Sequence, residues 1–167
     1  LSICLKDLEN KISRNTKVIM PTLYGGSPGN IKEVYKIAKK YRIRVIEDAA
    51  HALGSCLGKK KVGSFGDIVC FSFDGIKNIT SGEGGCVVSK DKILLDKIRE
   101  SRFLSIKKES ENRYLKKKQF EFDVERIGWR YHMSDIMASI GIEQFKKLNQ
   151  FKIKRQKLVK LYMKLLS

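Results

Sequence analysis

The sequence predicts an α/β fold, a mixed and mostly parallel sheet flanked by helices. Short apolar runs without strict alternation recur along the chain, as strands do when both faces are covered. Segments with helical spacing and short glycine-rich loops stand between them. The 167 residues suffice for one domain with a modest core.

The elements follow in order. Leu5, Leu8 and Ile12 recur at helical spacing and predict a helix over 5–13. Val18, Ile19 and Met20 read as a buried strand closed by Pro21. Gly25, Gly26, Ser27, Pro28 and Gly29 break the chain, and Asn30 stands where it can cap a helix with the apolar face Ile31, Val34, Tyr35 and Ala38. Residues 44–46 form the next strand, ending in Glu47 and Asp48. A loop punctuated by Gly54, Gly58, Gly63 and Gly66 leads to a third strand over 68–73. The loop after it holds Lys77 and the run Ser81, Gly82, Glu83, Gly84, Gly85; residues 86–88 make a fourth strand. Ile93, Leu94 and Ile98 mark a helix, and 106–127 read as a charged, irregular excursion. A helix starts near Ser134 with Met133, Ile136, Met137 and Ile140 on one side. A last, basic helix carries the stripe Leu158, Leu161, Tyr162 and Leu165, and packing on a partner domain is its expected use.

Composition narrows the function classes. Hydrophobic residues make up 42% and charged residues 32%, a globular rather than a disordered balance. No apolar run approaches the roughly 18–20 residues of a membrane-spanning helix, and the opening LSICLKDLEN has no long apolar stretch of a secretory leader. A cytoplasmic location without a membrane partner is expected. The net charge is +17, but the lysines are dispersed, and no aromatic-interleaved or zinc-finger pattern accompanies them. They read as solvated faces, and nucleic acid is not the expected partner. Cys4, Cys56, Cys70 and Cys86 form no C-x-x-C pair and there are two histidines, so no metal site is expected and the thiols should be reduced and mostly buried. Asn78-Ile79-Thr80 matches a glycosylation sequon by chance.

Ligands of open α/β sheets sit outside the carboxyl ends of the strands. Asp48, Ser72 and Lys77 fall at such ends or just beyond. On neighbouring strands about 4.8 Å apart they could line one shallow cleft and span a planar cofactor carrying a phosphate. A carboxylate, a hydroxyl and a lysine have a joint use in pyridoxal phosphate (PLP) chemistry: a Schiff base through the amine, a partner for the pyridine nitrogen, a hold on the phosphate. Taken singly, an acid such as Asp48 at a strand end is usually a cap or surface acid, a hydroxyl such as Ser72 before a loop is usually structural, and one lysine such as Lys77 among many is nearly always a surface charge.

The strings around these residues change the balance. Val45-Ile46-Glu47-Asp48-Ala49-Ala50-His51, Gly63-Ser64-Phe65-Gly66-Asp67, Phe71-Ser72-Phe73, the run from Lys77 to Gly85, and Gly128-Trp129-Arg130-Tyr131-His132-Met133-Ser134-Asp135-Ile136 occur in that order. The chain resembles the DegT/DnrJ/StrS family of PLP-dependent sugar aminotransferases over essentially its whole length. The resemblance implies an aspartate-aminotransferase-like large domain (fold type I), with 1–167 as a partial PLP-binding domain. The N-terminal phosphate segment and the C-terminal small domain are expected to lie outside these residues.

It also implies roles. Lys77 matches the Schiff-base lysine, Asp48 the partner of the pyridine nitrogen, and Ser72 a phosphate ligand. His51 occupies a position that contacts the cofactor ring or its phenolic oxygen, with a capping histidine as the other reading. Arg130 stands where relatives carry Asn, in a loop that reaches the neighbouring subunit's cofactor phosphate; Arg suits a phosphate by charge-assisted hydrogen bonding. His132 receives no role. Gly82, Gly84 and Gly85 build the turn into the next strand. Lysine rather than histidine at 77 implies transamination rather than dehydration. The implied reaction moves an amine from glutamate to a keto-sugar linked to a nucleotide, in a homodimer. The isolated 167 residues are expected to be inactive. A non-catalytic relic of the family and a basic nucleic-acid-binding module are the alternative classes.

Overall fold

The computed structural model describes residues 1–106, 124 and 126–166. The chain divides into two units, Leu1–Lys90 with Asp135–Ser167, and Asp91–Ser134. In the first unit α1 (Leu5–Lys11) precedes β1 (Val18–Ile19), a short 3-10 turn (Tyr24–Gly26), α2 (Ile31–Tyr41) and β2 (Arg44–Asp48). Then come a small hairpin, β3 (Cys56–Leu57) with β4 (Lys60–Lys61), and the strands β5 (Ile68–Ser72) and β6 (Gly85–Ser89). The helices α4 (Asp135–Lys146) and α5 (Leu148–Leu166) complete it; α3 (Lys92–Ser101) belongs to the second unit.

The main sheet has the order β1-β2-β5-β6, with β1, β2 and β5 parallel and β6 antiparallel. A mostly parallel mixed sheet is therefore present as the apolar runs predicted. The register pairs Ile46, Glu47 and Asp48 with Ile68, Val69 and Cys70. Side chains alternate along a strand, so Asp48, Cys70 and Ser72 share one face while Glu47, Val69 and Phe71 share the other. The second face is the core: Ile31, Val34 and Ala38 of α2 pack with Val45, Val69 and Phe71. Their spacing is the helical one read from the sequence.

The covering is unequal. On the Asp48 face Ile46, Asp48, Cys70 and Ser72 are only half-buried, and β6 holds no buried residue. The expectation of strands buried on both faces is thus corrected: β2 and β5 bury one face fully. Three further readings change. Asn30 sits at the N-cap of α2, but its amide donates to Ile3 O at 2.7 Å and caps nothing. Cys4 and Cys56 are exposed and Cys70 and Cys86 half-buried, so the thiols are free but not mostly buried. The segment around Gly58 pairs as a hairpin, Cys56 with Lys61 and Leu57 with Lys60, where only a loop was read. Of the irregular 106–127 excursion, residues 107–123 and 125 lie outside the described residues. Neither α4 nor α5 carries a buried residue, and Ile136, Ile140, Leu158, Leu161, Tyr162 and Leu165 are all at least 45% exposed.

Glu47 enters the core with no exposure at all. The Tyr35 hydroxyl donates to its Oε1 at 2.8 Å and itself accepts the Asp67 N–H at 2.9 Å, while Oε2 has no partner among the described residues. A Cβ at Gly66 would collide with Glu47 Oε1, so this turn needs glycine both for space and for its φ of 91°. Burial pushes the Glu47 carboxyl up, partly opposed by the Tyr35 hydrogen bond. A carboxyl raised in the fold binds its proton more tightly there than in the unfolded chain. Its contribution to stability is complete below the ordinary glutamate range and is lost as pH rises through the folded value. Urea titrations across pH should show stability falling over that window in the parent protein, and a flatter profile in Glu47→Gln.

Cys70 reports on the other face. Its thiol is pushed up by burial first and by the Asp48 charge second. The thiolate is the reactive form. Asp48→Asn should therefore speed alkylation of Cys70 by up to about tenfold, read by peptide mass spectrometry with exposed Cys4 as the internal standard; an unchanged rate would contradict the pairing of 48 with 70.

Candidate functional site

The candidate groups of the first unit gather on two loops that leave adjacent parallel strands. Asp48 ends β2, and its backbone is held on both sides: its N–H donates to Pro21 O at 3.0 Å and its carbonyl accepts from Leu23 N at 2.9 Å. The carboxylate takes one donor on each oxygen, Ala50 N–H on Oδ1 at 3.1 Å and the Thr22 hydroxyl on Oδ2 at 3.4 Å. Carboxylate oxygens accept more than one hydrogen bond each, so acceptor capacity remains. Thr22 also bridges to Asp48 through the backbone.

His51 follows on the turn after β2 and is exposed. Its Nδ1 accepts the Gly25 N–H at 3.3 Å, which makes Nδ1 the acceptor and Nε2 the N–H of the neutral ring. Tyr24 stands edge-on to the imidazole, centroids 5.7 Å apart. The 3-10 turn thus orients the histidine, and its Nε2–H has no partner among the described residues.

Ser72 closes β5 beside Gly85 of β6. A Cβ at Gly85 would run into the Phe71 carbonyl, so the strand ends approach closely there. Ser72 Oγ accepts the Asp74 N–H at 3.3 Å, and its own proton is left to donate. Lys77 lies five residues further on, half-buried, its N–H on Asp74 O at 3.0 Å. Its Nζ makes no hydrogen bond or ion pair among the described residues. The loop returns through Ser81 N–H to Phe73 O (2.9 Å) and Phe73 N–H to Gly84 O (2.8 Å), with Gly82 and Gly84 at φ 83° and 139°. This is the turn the glycine run predicted.

Asp48, His51, Ser72 and Lys77 are therefore all carried by the carboxyl ends of β2 and β5. Arg130 is not among them: it belongs to the second unit, exposed, in an antiparallel bridge with Phe103. His132 stacks edge-on to Phe103 at 5.2 Å, a structural use consistent with its lack of an assigned role. Thr22, Tyr24, Gly25 and Asn78 also shape the site, a part that the sequence pattern assigned to none of them. Asn78 was read as a chance sequon; its side chain instead donates to His51 O and Leu53 O and ties the two loops together. A hollow of about 730 Å³ lies alongside, bordered by Gly25, Gly26, Leu53, Asn78 and, from α5, Lys152 and Arg155.

The comparisons with known proteins agree with this architecture. The profile of the DegT/DnrJ/EryC1/StrS aminotransferase family matches residues 1–167. GDP-perosamine synthase of Escherichia coli O157:H7 is 39% identical over 160 residues, 96% of this chain and 41% of its own. UDP-4-amino-4,6-dideoxy-N-acetyl-beta-L-altrosamine transaminase of Campylobacter jejuni is 38% identical over 160 residues, 94% of this chain and 40% of its own. Among solved structures, the PMP-form of Spr1654 from Streptococcus pneumoniae matches with a TM-score of 0.87 at 26% identity, over 96% of this chain and 45% of that one. The chain spans about two fifths of the length of the curated relatives it matches. Its architecture is that of part of the fold type I domain of PLP-dependent enzymes. Matched from end to end, over residues 1–167, the chain belongs to the DegT/DnrJ/EryC1/StrS aminotransferase family.

Proposed function

We propose that this chain is part of the cofactor-binding large domain of a PLP-dependent sugar aminotransferase, and that the whole protein aminates a keto-sugar linked to a nucleotide. The observation that carries this is the convergence of Asp48, His51, Ser72 and Lys77 at the carboxyl ends of two paired parallel strands. The donor set fits the group. The Lys77 amine is uncommitted among the described residues, the Asp48 carboxylate keeps free acceptor capacity, and the His51 Nε2–H and the Ser72 proton have no partner among the described residues.

When bound, PLP supplies an electrophilic aldehyde and a ring that delocalises carbanion charge. The chain's own residues do the rest. Lys77 would hold the group covalently through Nζ, the aldehyde oxygen leaving as water, and its amine, when free, would serve as general base and acid. That amine would hold and move the proton lost from the substrate carbon. Asp48 would hold the pyridine nitrogen, its negative charge favouring the protonated form of that nitrogen. His51 would hold the phenolic oxygen through Nε2–H, and Ser72 would hold the phosphate through its hydroxyl. Arg130 is assigned to the phosphate held by the neighbouring subunit of a homodimer. Glutamate is the proposed amine donor and the cytoplasm the proposed location. The isolated 167 residues are proposed to be inactive, because they span about two fifths of the length of the curated relatives they match.

Borohydride reduction of the PLP-loaded full-length protein, followed by peptide mapping, tests the reading. The pyridoxyl mass is expected on Lys77 alone, and Lys77→Ala should lose at least about 10³-fold in amine transfer. Label on another lysine, or transfer undiminished in Lys77→Ala, would overturn it. Turnover by residues 1–167 alone would overturn the claim that they are insufficient.

A further inference from the structure

We infer that Asn78 is a positioning residue for Lys77 and that Arg155 of α5 holds it in place; this rests on the cofactor-bonding role proposed for Lys77. Asn78 is pinned through both of its polar ends. Its side-chain Nδ2 donates to Leu53 O at 2.8 Å and to His51 O at 3.3 Å, which uses both of its hydrogens. Its backbone carbonyl accepts from Nη1 and Nη2 of Arg155, each at 3.3 Å. Lys152, one helical turn earlier on α5, donates to Gly54 O at 3.2 Å. One helix therefore grips the loop after β2 and the loop after β5, and Asn78 fastens the two loops to each other.

Lys77 is the residue next to this fastening. On its other side its own N–H closes a turn onto Asp74 O. Beyond Asn78 the chain is anchored by Ile79, 3% exposed, and Ser81, fully buried. The backbone on both sides of Lys77 is thus held, while its amine has no partner among the described residues. That arrangement gives a nucleophile a firm base and a free tip. It also sets the spacing between Lys77 and His51, because the Asn78 amide bonds the His51 carbonyl directly. A displacement of about 1 Å at a reacting group can cost about 10²-fold in rate, so a clamp one residue away is well placed to matter. The amide chemistry is specific. Aspartate has the same shape, but its carboxylate would face two carbonyl oxygens with nothing to donate.

The test uses the full-length protein in three forms: parent, Asn78→Asp, and Arg155→Lys, which keeps the charge but loses the two-pronged hold. Backbone hydrogen exchange over 74–81 is measured without cofactor. The yield of pyridoxyl-Lys77 at sub-saturating PLP and the pH midpoint of the visible cofactor band are measured with it. Asn78→Asp is expected to exchange faster over 74–81, to lower the trapping yield about tenfold and to move the midpoint by about one unit. Arg155→Lys is expected to change in the same direction by less. Unchanged trapping and midpoint in both variants overturn the positioning role. If Asn78→Asp does not fold, Arg155→Lys decides by the same two readings. Absence of trapping in the parent overturns the cofactor reading instead; the clamp is then decided by exchange alone, faster over 74–81 supporting it and unchanged rates overturning it.

Discussion

Ile46, Glu47 and Asp48 pair in parallel with Ile68, Val69 and Cys70, and the position of every candidate group in the first unit follows from that register. A slip of one residue would turn Asp48 toward the core and Glu47 outward. The register is held at the entry end by Asp67. Its carboxylate takes Arg44 Nε and Nη2 at 2.6 Å each and the Val45 N–H at 3.4 Å, while its carbonyl accepts the Ser89 hydroxyl at 2.7 Å. The ion pair is partly exposed and contributes on the order of 1 kcal/mol. Its greater effect is geometric, since it joins the starts of β2 and β5 and reaches the last residue of β6.

Two neighbouring carboxylates show what that register achieves. Glu47 and Asp48 are adjacent in the chain and face opposite ways. Glu47 is sealed beneath α2, bonded to Tyr35, and its charged form is disfavoured by burial. Asp48 stays half-buried on the open face, with one donor on each oxygen. The first serves packing and the second can meet a ligand. The same division runs along β5, where Val69 and Phe71 fill the core while Cys70 and Ser72 look the other way.

The backbone of the site is held from outside the sheet. The turn at Tyr24–Gly26 fixes the His51 ring, and α5 reaches the loops through Lys152 and Arg155. Leu148 packs close to where a Cβ on Gly54 would stand. A helix with little burial of its own thereby acts on the loop that carries Lys77.

Much of this was legible in the residues. The apolar runs at β2, β5 and β6, the helical spacing of Ile31, Val34 and Ala38, and the strand-end positions of Asp48 and Ser72 are local patterns, and local patterns survive in a string of letters. The functions of Asn30 and Asn78 were not legible. Each amide found an acceptor far along the chain, Ile3 for one and Leu53 for the other, where its neighbours suggested a helix cap and a sequon. The β3–β4 hairpin was hidden because its strands are two residues long and carry no alternation to read.

The sequence by itself determined the family, the α/β class and the kinds of chemical group at the site, because these depend on residue type, order and short-range periodicity. Only the tertiary structure decided which strand lies beside which, that β2 and β5 bury the Glu47 face while Asp48, Cys70 and Ser72 stay half-buried on the other, and that an asparagine and an arginine 77 positions apart meet at the residue after Lys77. Those outcomes arise from pairing and packing between distant segments, and no local pattern encodes which distant partner will satisfy a given hydrogen-bonding group.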